Sequence, residues 1–295
     1  MPHEPARADA DWLALREPAD AAARSVELVE TLRPYLPTDG LVIHDLGCGT
    51  GSMARWLAPR LTGRQHWVGY ERDEELLVRA DAAPPPWSRD GHRVTTETRL
   101  RDITRLSADD LDGASLVTAS ALVDMMTGEE IDRLVASIAA AGCPALVALS
   151  VVGRVELVPV DPLDDRLAAA FNAHQMRDAG HGRLLGPDAV DVAARRLQQA
   201  GSTLRREPSR WSLGAGSPAL SRAWLEGWVR AACEQDPSLR AGATPYLDRR
   251  LADLGAGRLS VTVHHRDLLA LPHRRHAGGA GSLRPAASRG TGSRH

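Results

Sequence analysis

The segment from Asp45 to Gly51, which reads DLGCGTG, constrains the fold more than any other part of the sequence. It closes the short apolar run 41–46, which predicts a buried strand, and it precedes a helical pattern over 52–61. Alternate glycines let the backbone turn sharply and approach a ligand with no Cβ in the way. The helix that follows offers free N–H groups and a positive dipole end. The sequence therefore predicts a ligand-binding turn between a strand and a helix.

Two acidic residues follow at the ends of the next predicted strands. Glu71 ends the run 66–71, where a carboxylate can accept hydrogen bonds from both hydroxyls of a ribose. Asp102 follows the strand predicted over 94–100, where it can accept a bond from an adenine amino group. The neighbouring Ile103 can cover the face of the ring. These side chains predict a nucleoside site beside the glycine turn.

Strands and helices alternate through the first half of the chain. Further strands are predicted over 114–122, 145–152, 155–160, 202–212 and 258–265. Helices are predicted over 74–82, 129–141, 162–175, 187–200, 218–235 and 243–254. This alternation predicts an α/β fold with a doubly wound, mostly parallel sheet.

The chain divides into three predicted parts. Residues 1–36 form an N-terminal helical segment, with a disordered start over 1–10 and a helix from Asp11. Residues 37–271 form the α/β domain, with a helical insertion at about 213–257 near the last strand, over the ligand crevice. Residues 272–295 are rich in Gly, Ser, Pro and Arg, and we expect a disordered basic tail.

Two kinds of nucleotide site are compatible with the glycine turn. Gly49-x-Gly51-x-x-Ala54 satisfies the dinucleotide pattern, and Glu71 fits its ribose acid, which keeps a nicotinamide-dependent oxidoreductase open. Asp45 and Gly47 extend the pattern to D-x-G-x-G-x-G. That longer run closely resembles motif I of the class I (Rossmann-like) methyltransferases, which depend on S-adenosylmethionine (SAM).

The resemblance covers about 41–152 and implies a specific cofactor and site. It implies SAM, with its amino-acid part at the first glycine-rich loop, its ribose at Glu71 and its adenine at Asp102 and Ile103. The residues of that loop expected at the cofactor are Asp45, Gly47, Cys48, Gly49 and Gly51. The family's sheet has seven strands and ends in a reversed hairpin strand, which 258–265 can supply.

Arg24 and Ser120 complete the predicted cofactor site. In many proteins of this family a preceding helix closes over SAM, and Arg24 on that helix can then meet the methionine carboxylate, since its fork suits a carboxylate. The alternative is a solvated helix face with an Asp20–Arg24 pair one turn apart. Ser120 stands at the end of the fourth strand, in the place of the family's motif IV.

Two residues are candidates for proton transfer. Asp124 follows the fourth strand at the position that faces the transferred methyl group in the family; a role as a helix cap or loop acid is the alternative. His174 lies in the segment Asn172 to Gln175 after the fifth strand, and a histidine near its ordinary pKa can take a proton at neutral pH. A solvated helix end is the alternative there, for His181 as well.

Composition excludes several functional classes. The formal net charge is −2, and the tail's five arginines leave −7 on residues 1–271, which argues against a nucleic-acid groove. All 36 basic residues are arginine, so Schiff-base and P-loop lysine chemistry is excluded. The three cysteines lack metal-ligand spacing, so we expect no metal site and a reduced, cytoplasmic location. No apolar run is long enough to span a membrane.

The sequence thus predicts a SAM-dependent methyltransferase that acts on an oxygen, nitrogen or carbon atom of a small-molecule acceptor. The absence of an Asn/Asp-Pro-Pro-Tyr motif disfavours nucleic-acid bases and glutamine as acceptors. A homodimer is possible. Two alternatives stay open, namely a nicotinamide-dependent oxidoreductase and a non-catalytic protein that binds SAM or a nucleotide.

Overall fold

The computed structural model describes residues 9–272, so the predictions for residues 1–8 and 273–295 lie outside it. Its strands are β1 Leu41–Leu46, β2 Gln65–Glu71, β3 Val94–Leu100, β4 Leu116–Ser120, β5 Ala145–Val158, β6 Thr203–Gly214 and β7 Ser260–Leu271. They form one sheet in the order β3-β2-β1-β4-β5-β7-β6. β7 runs antiparallel to both of its neighbours, and the other adjacent pairs are parallel. The predicted fold class, including the reversed hairpin strand, is confirmed.

Helices cover both faces of the sheet. They are α1 Ala10–Ala23, α2 Val26–Leu32, α3 Ser52–Leu57, α4 Glu74–Ala82, α5 Gly128–Ala141, α6 Asp164–Gln175, α7 Ala189–Gln199, α8 Pro218–Gln235 and α9 Arg240–Gly255. α5 and α7 contribute to the core on one face, and α2 and α3 to the core on the other. The connection between β6 and β7 consists of α8 and α9, which agrees with the expected helical insertion.

The predicted N-terminal helix is divided in two. Arg24 and Ser25 have extended backbone, with ψ of 135° and 113°, and they separate α1 from α2. The Ser25 hydroxyl accepts a hydrogen bond from the backbone N–H of Leu28 at 3.2 Å and so begins the second helix. The same residue's backbone N–H donates to the buried Asp267 of β7 at 2.8 Å. The chain changes direction between α1 and α2, at Arg24.

The fifth strand is longer than predicted. The two segments expected at 145–152 and 155–160 form one strand, β5, which pairs with β7 on both sides of an irregular stretch. Gly153 lies in that stretch with φ of +72°, a conformation that glycine adopts without strain. The extended β5, β6 and β7 provide a surface on which α6, α8 and α9 pack.

A third core fills the space between these long strands and the helices. Trp224 and Trp228 stack with ring centroids 5.3 Å apart, and both are buried. Trp228 also contacts Tyr246 of α9 at 6.4 Å between centroids. This core packs α6, α8 and α9 on the long strands, beside the carboxyl ends of the parallel strands. Within residues 9–272, no helix has the length and apolarity needed to cross a membrane.

Candidate functional site

A cavity of about 960 Å³ opens at the carboxyl ends of the parallel strands. Neighbouring strands β1 and β4 lead into helices on opposite faces of the sheet, and ligands of open α/β sheets bind in the crevice at such a switch point. Residues from β1, β2 and the segment after β3 line one end. Residues from α1, α6, α8 and the long strands line the other end. The cavity therefore joins the predicted cofactor site to the helical part of the molecule.

The glycine turn forms part of the cavity wall and leaves little room for side chains. Gly47 and Gly49 have φ of +63° and +54°. A Cβ on Gly47 would lie 2.8 Å from the Leu122 side chain, and a Cβ on Gly49 would lie 3.2 Å from that of Leu13. Both positions favour glycine, because a positive φ strains other residues and because a side chain would come too close to Leu122 or Leu13.

Gly51 has a different position. It has φ of +83° at the start of α3, and it does not line the cavity. A Cβ there would lie 3.2 Å from a guanidinium nitrogen of Arg55. Gly51 thus begins the helix, and its contact with the cofactor stays a prediction. Cys48 does line the cavity, and burial raises the pKa of its thiol, so it is a small apolar wall residue.

Glu71 is tied to the glycine turn. Its Oε2 accepts a hydrogen bond from the backbone N–H of Gly49 at 3.1 Å, and its Oε1 accepts one from that of Arg72 at 2.8 Å. The carboxylate is half-buried and lines the cavity. These bonds fix the orientation of the Glu71 carboxylate. The lone pairs that accept no bond therefore point in a fixed direction beside the turn.

Asp102 and Ile103 also line the cavity, one strand further from the switch point. Asp102 begins a short 3-10 helix, and its Oδ1 accepts hydrogen bonds from the backbone N–H of Thr104 at 3.0 Å and from its hydroxyl at 2.8 Å. The other oxygen, Oδ2, lies 3.8 Å from Arg105 Nε. The structure brings Glu71 and Asp102 into one cavity with the glycine turn, as the strand order requires.

Asp45 is a buried carboxyl group at the end of β1. Its Oδ1 accepts a hydrogen bond from the Thr118 hydroxyl at 2.7 Å, and its Oδ2 has no partner among the described residues. Burial raises its pKa to about 6, although the Thr118 bond and the charge of Arg24 act in the opposite direction. Asp45 thus presents an unpaired oxygen in the wall of the cavity.

Arg24 is buried, with 3% of its surface exposed, and it lines the same end of the cavity. One guanidinium nitrogen donates to the Ser52 hydroxyl at 3.1 Å and to the Ser120 hydroxyl at 3.0 Å, while Nε has no partner among residues 9–272. Burial lowers its pKa. The alternative of a solvated helix face is wrong for Arg24, and Ser120 lies beside it.

Asp20 forms its ion pair with Arg16 and not with Arg24, the partner expected for a solvated helix face. Asp20 is buried and accepts hydrogen bonds from Arg16 Nε and from the indole N–H of Trp211, both at 3.0 Å. A second pair, between Glu17 and Arg55 at 2.6 Å, joins α1 to α3. These contacts fix α1 over the glycine turn. Because Asp20 is bonded to Arg16 and Trp211, the Arg24 guanidinium bonds to Ser52 and Ser120 instead.

Asp124 lies in a 3-10 turn after β4 and lines the cavity. Its side chain is half-buried, and its Oδ1 has no partner in the described part of the chain. Burial raises its pKa, so the carboxyl group binds a proton more readily than an exposed one. The position and the unpaired oxygen suit a group that receives a proton from a bound molecule.

His174 does not line the cavity, and its role in proton transfer stays a prediction. Its Nε2 lies 3.9 Å from a carboxylate oxygen of Glu234 on α8, and burial lowers its pKa. The next residue, Gln175, faces the cavity instead, because successive helix positions are rotated by about 100°. His181 lines the cavity as well, whereas Asn172 donates to the carbonyl of Gly153 at 2.8 Å and has a structural role.

Sequence reasoning missed the aromatic side chains at the far end of the cavity. Trp12, Phe171, Trp211, Trp224 and Trp228 all line it. The i,i+4 spacing of Trp224 and Trp228 places them on one face of α8. Both tryptophans do belong to the core, and they also form part of the cavity wall. Among the described residues, no group of three or more His, Cys, Asp or Glu side chains could hold a metal ion.

The strand order decides between the two nucleotide-binding folds. A dinucleotide-binding sheet has the order 3-2-1-4-5-6. Here the antiparallel β7 lies between β5 and β6. The sheet has the seven strands and the reversed hairpin strand that the resemblance to class I methyltransferases implies.

Comparison with known proteins gave matches in structure alone. No protein-family model matches the chain, and no curated protein matches its sequence. A cyclopropane synthase from Mycobacterium tuberculosis is 14% identical, with 83% of each chain covered and a TM-score of 0.44. A SAM-dependent methyltransferase from Geobacter sulfurreducens in complex with S-adenosyl-L-homocysteine (SAH) is 16% identical, with 92% of this chain and 100% of that one covered and a TM-score of 0.41. A magnesium protoporphyrin IX methyltransferase from Synechocystis with bound SAH is 14% identical, with 70% and 84% covered and a TM-score of 0.39.

Proposed function

We propose that this chain is a SAM-dependent methyltransferase that acts on a small-molecule acceptor. The observation that carries the proposal is the continuous cavity, which has the glycine turn, Glu71 and Asp102 at one end and Asp124 at the other. A cavity of about 960 Å³ is large enough for a nucleoside cofactor and a second molecule side by side. We also propose a cytoplasmic location.

The residues present fit the adenosyl and methionyl parts of SAM. Glu71, held by the N–H of Gly49, would accept bonds from the ribose hydroxyls, and Asp102 and Ile103 would contact the adenine. The unpaired Oδ2 of Asp45 suits the ammonium group, and the unpaired Nε of Arg24 suits the carboxylate. Close packing at Gly47 and Gly49 lets the backbone form the surface against which the cofactor lies.

The chain's own contribution to catalysis is alignment, exclusion of water and movement of one proton. When bound, SAM supplies an electrophilic methyl group on a sulfonium, a leaving group that is already activated. The cavity walls orient the acceptor atom and exclude bulk water. Asp124 would accept the acceptor's proton where the acceptor atom carries one, since burial raises the pKa of its carboxyl group.

Titration calorimetry with SAM, SAH and NADH tests the proposal. We expect micromolar binding of SAM and SAH, no binding of NADH, and a loss of SAM affinity of about 100-fold in Glu71→Ala, because a fixed charged acceptor is removed. Glu75→Ala is the matched control, since Glu75 is exposed on α4 and outside the cavity. Binding of NADH in preference to SAM would support an oxidoreductase. Binding of SAM with no turnover on any acceptor would support a non-catalytic binding protein.

A further inference from the structure

The far end of the cavity has an unusual concentration of large aromatic side chains. Four of the chain's seven tryptophans and its single phenylalanine line this one cavity. From this wall we infer that the acceptor is a hydroxylated aromatic molecule, an inference that rests on the proposed methyl transfer and names its substrate class.

The aromatic residues come from two sides of the cavity. On the first side, Trp12 of α1 meets Trp211 of β6 edge to face, with centroids 6.2 Å apart and planes at 62°. The His265 ring lies 5.3 Å from Trp211. Aromatic rings prefer offset-stacked and edge-to-face neighbours at such distances, so this wall favours a further ring over a saturated chain.

The second side is formed by α6 and α8. Phe171 projects from α6, and the stacked pair Trp224 and Trp228 projects from α8, with planes at 17°. These elements pack on the long ends of β5, β6 and β7, which hold them at the cavity. A planar acceptor that enters between the two sides meets ring surfaces on both.

Buried polar atoms without partners, on residues of the cavity wall, point to the functional group that the ring carries. Asp124 Oδ1 and Gln175 Oε1 are buried hydrogen-bond acceptors with no donor among the described residues. Trp228 Nε1 is a buried donor with no acceptor there. A buried polar group without a partner destabilises the free protein, and a ligand that supplies the partner gains that energy. A hydroxyl group donates and accepts, so it can satisfy both kinds of atom, whereas an ammonium only donates and a carboxylate only accepts.

On the first side of the cavity, the cation nearest the aromatic wall is already paired within the protein. The Arg16 guanidinium lies 4.8 Å from the centre of the Trp211 ring, but it is paired with Asp20 at 3.0 Å. It is therefore already neutralised by the protein. A phenolic acceptor enters uncharged and transfers its hydroxyl proton to the carboxylate of Asp124.

Binding of three bicyclic probes to the SAH-saturated full-length protein tests the inference. The probes are 2-naphthol, naphthalene, which lacks the hydroxyl, and decahydro-2-naphthol, which keeps the hydroxyl and lacks the aromatic rings. We expect 2-naphthol to bind about ten-fold more tightly than decahydro-2-naphthol, because only the aromatic compound stacks. We expect it to bind about five-fold more tightly than naphthalene, because only the hydroxyl satisfies the polar atoms.

Variants separate the two parts of the inference. Phe171→Leu and Trp224→Leu should each weaken 2-naphthol binding by about five- to ten-fold. Trp87→Leu is the matched control, since Trp87 is 60% exposed and outside the cavity. Gln175→Leu should remove most of the advantage of 2-naphthol over naphthalene and leave naphthalene binding unchanged.

The outcomes distinguish this inference from the proposed function. Normal SAH binding with 2-naphthol bound no better than decahydro-2-naphthol overturns the aromatic acceptor and leaves methyl transfer standing. Equal binding of 2-naphthol and naphthalene overturns the hydroxyl. Failure of SAH to bind overturns the proposed function and this inference with it. If Trp224→Leu does not fold, the comparison of the three probes on the unaltered protein still decides.

Discussion

The two ends of the cavity differ in how their polar groups are satisfied. At the glycine turn, Glu71 and Asp102 are held by backbone N–H groups of nearby residues. At the aromatic end, Asp124, Gln175 and Trp228 each have a buried polar atom without a partner in the described chain. The carboxylates of Glu71 and Asp102 are thus fixed by local contacts, although Asp45 Oδ2 and Arg24 Nε at the same end have no partner among the described residues. The unpaired atoms at the aromatic end have no such locally fixed neighbours, and a ligand would complete them. This difference supports our proposal that the ribose and adenine site is preorganised and that the aromatic end sets the acceptor specificity.

The largest expected effect is at the preorganised end. Gly49→Val places a branched side chain at φ of +54° within 3.2 Å of Leu13, and we expect SAM affinity to fall by more than about 100-fold in calorimetry. Gly91→Val is the control, because Gly91 has φ of +85° in open space and its replacement causes similar backbone strain. Retained SAM affinity in Gly49→Val would show that the turn does not approach the cofactor.

The next effect is at the acceptor end. Asp124→Asn removes the proton acceptor, and we expect kcat on a hydroxylated acceptor to fall by about 100-fold, with SAH affinity unchanged. Because burial raises the pKa of Asp124, the unaltered protein should also lose activity as the pH falls and this carboxyl group becomes protonated. Asp112→Asn, on an exposed residue outside the cavity, is the control. A kcat within about three-fold of the unaltered protein would exclude Asp124 as the base.

A third prediction concerns the energetic cost of the one unpaired carboxyl group at the cofactor end. The pKa of Asp45 is raised to about 6 in the folded protein, so its contribution to stability is present below about pH 4 and is lost as the pH rises through 6. Asp45→Asn should therefore raise the free energy of unfolding by about 2–3 kcal/mol at pH 7.5 and by much less at pH 4.5. Urea unfolding at both pH values measures this, and an equal effect at both would contradict the assignment.

The smallest expected effect is at His174. Because its ring points away from the cavity toward Glu234, His174→Ala should change kcat and KM by less than about two-fold. Gln175→Ala, one position further along the same helix, should raise KM by about five-fold, since it removes a polar group from the wall. Steady-state kinetics on both variants tests this, and a larger loss in His174→Ala than in Gln175→Ala would reverse the assignment of the two residues.

The same contrast explains what the sequence could predict. The ends of β1, α4 and β3 agree with the prediction, because each has a local hydrophobic period and a nearby turn or cap. Asp45, Glu71 and Asp102 could be placed together because the carboxyl ends of neighbouring parallel strands meet at one edge. This reasoning needs only the order of elements and the position of a residue within a strand.

The acceptor end could not be predicted in the same way. The indole of Trp211 donates to Asp20, which is 191 positions away in the sequence, and no local pattern indicates that contact. The choice between His174 and Gln175 depends on the rotation of α6 about its axis, which only packing on the long strands determines. The helix break at Arg24 also depends on long-range contacts. The Arg24 guanidinium bonds to Ser52 and Ser120, which belong to elements distant in the sequence.

The central claim is that the wall formed by Gly47, Gly49 and Glu71 binds an adenosyl cofactor, and a crystal structure with SAH tests it most directly. We predict that the ribose hydroxyls contact the Glu71 carboxylate, that the adenine lies against Ile103 near Asp102, and that the amino-acid part lies between Asp45 and Arg24. A structure with SAH bound elsewhere, or with this wall contacting only solvent at saturating SAH, would contradict the account.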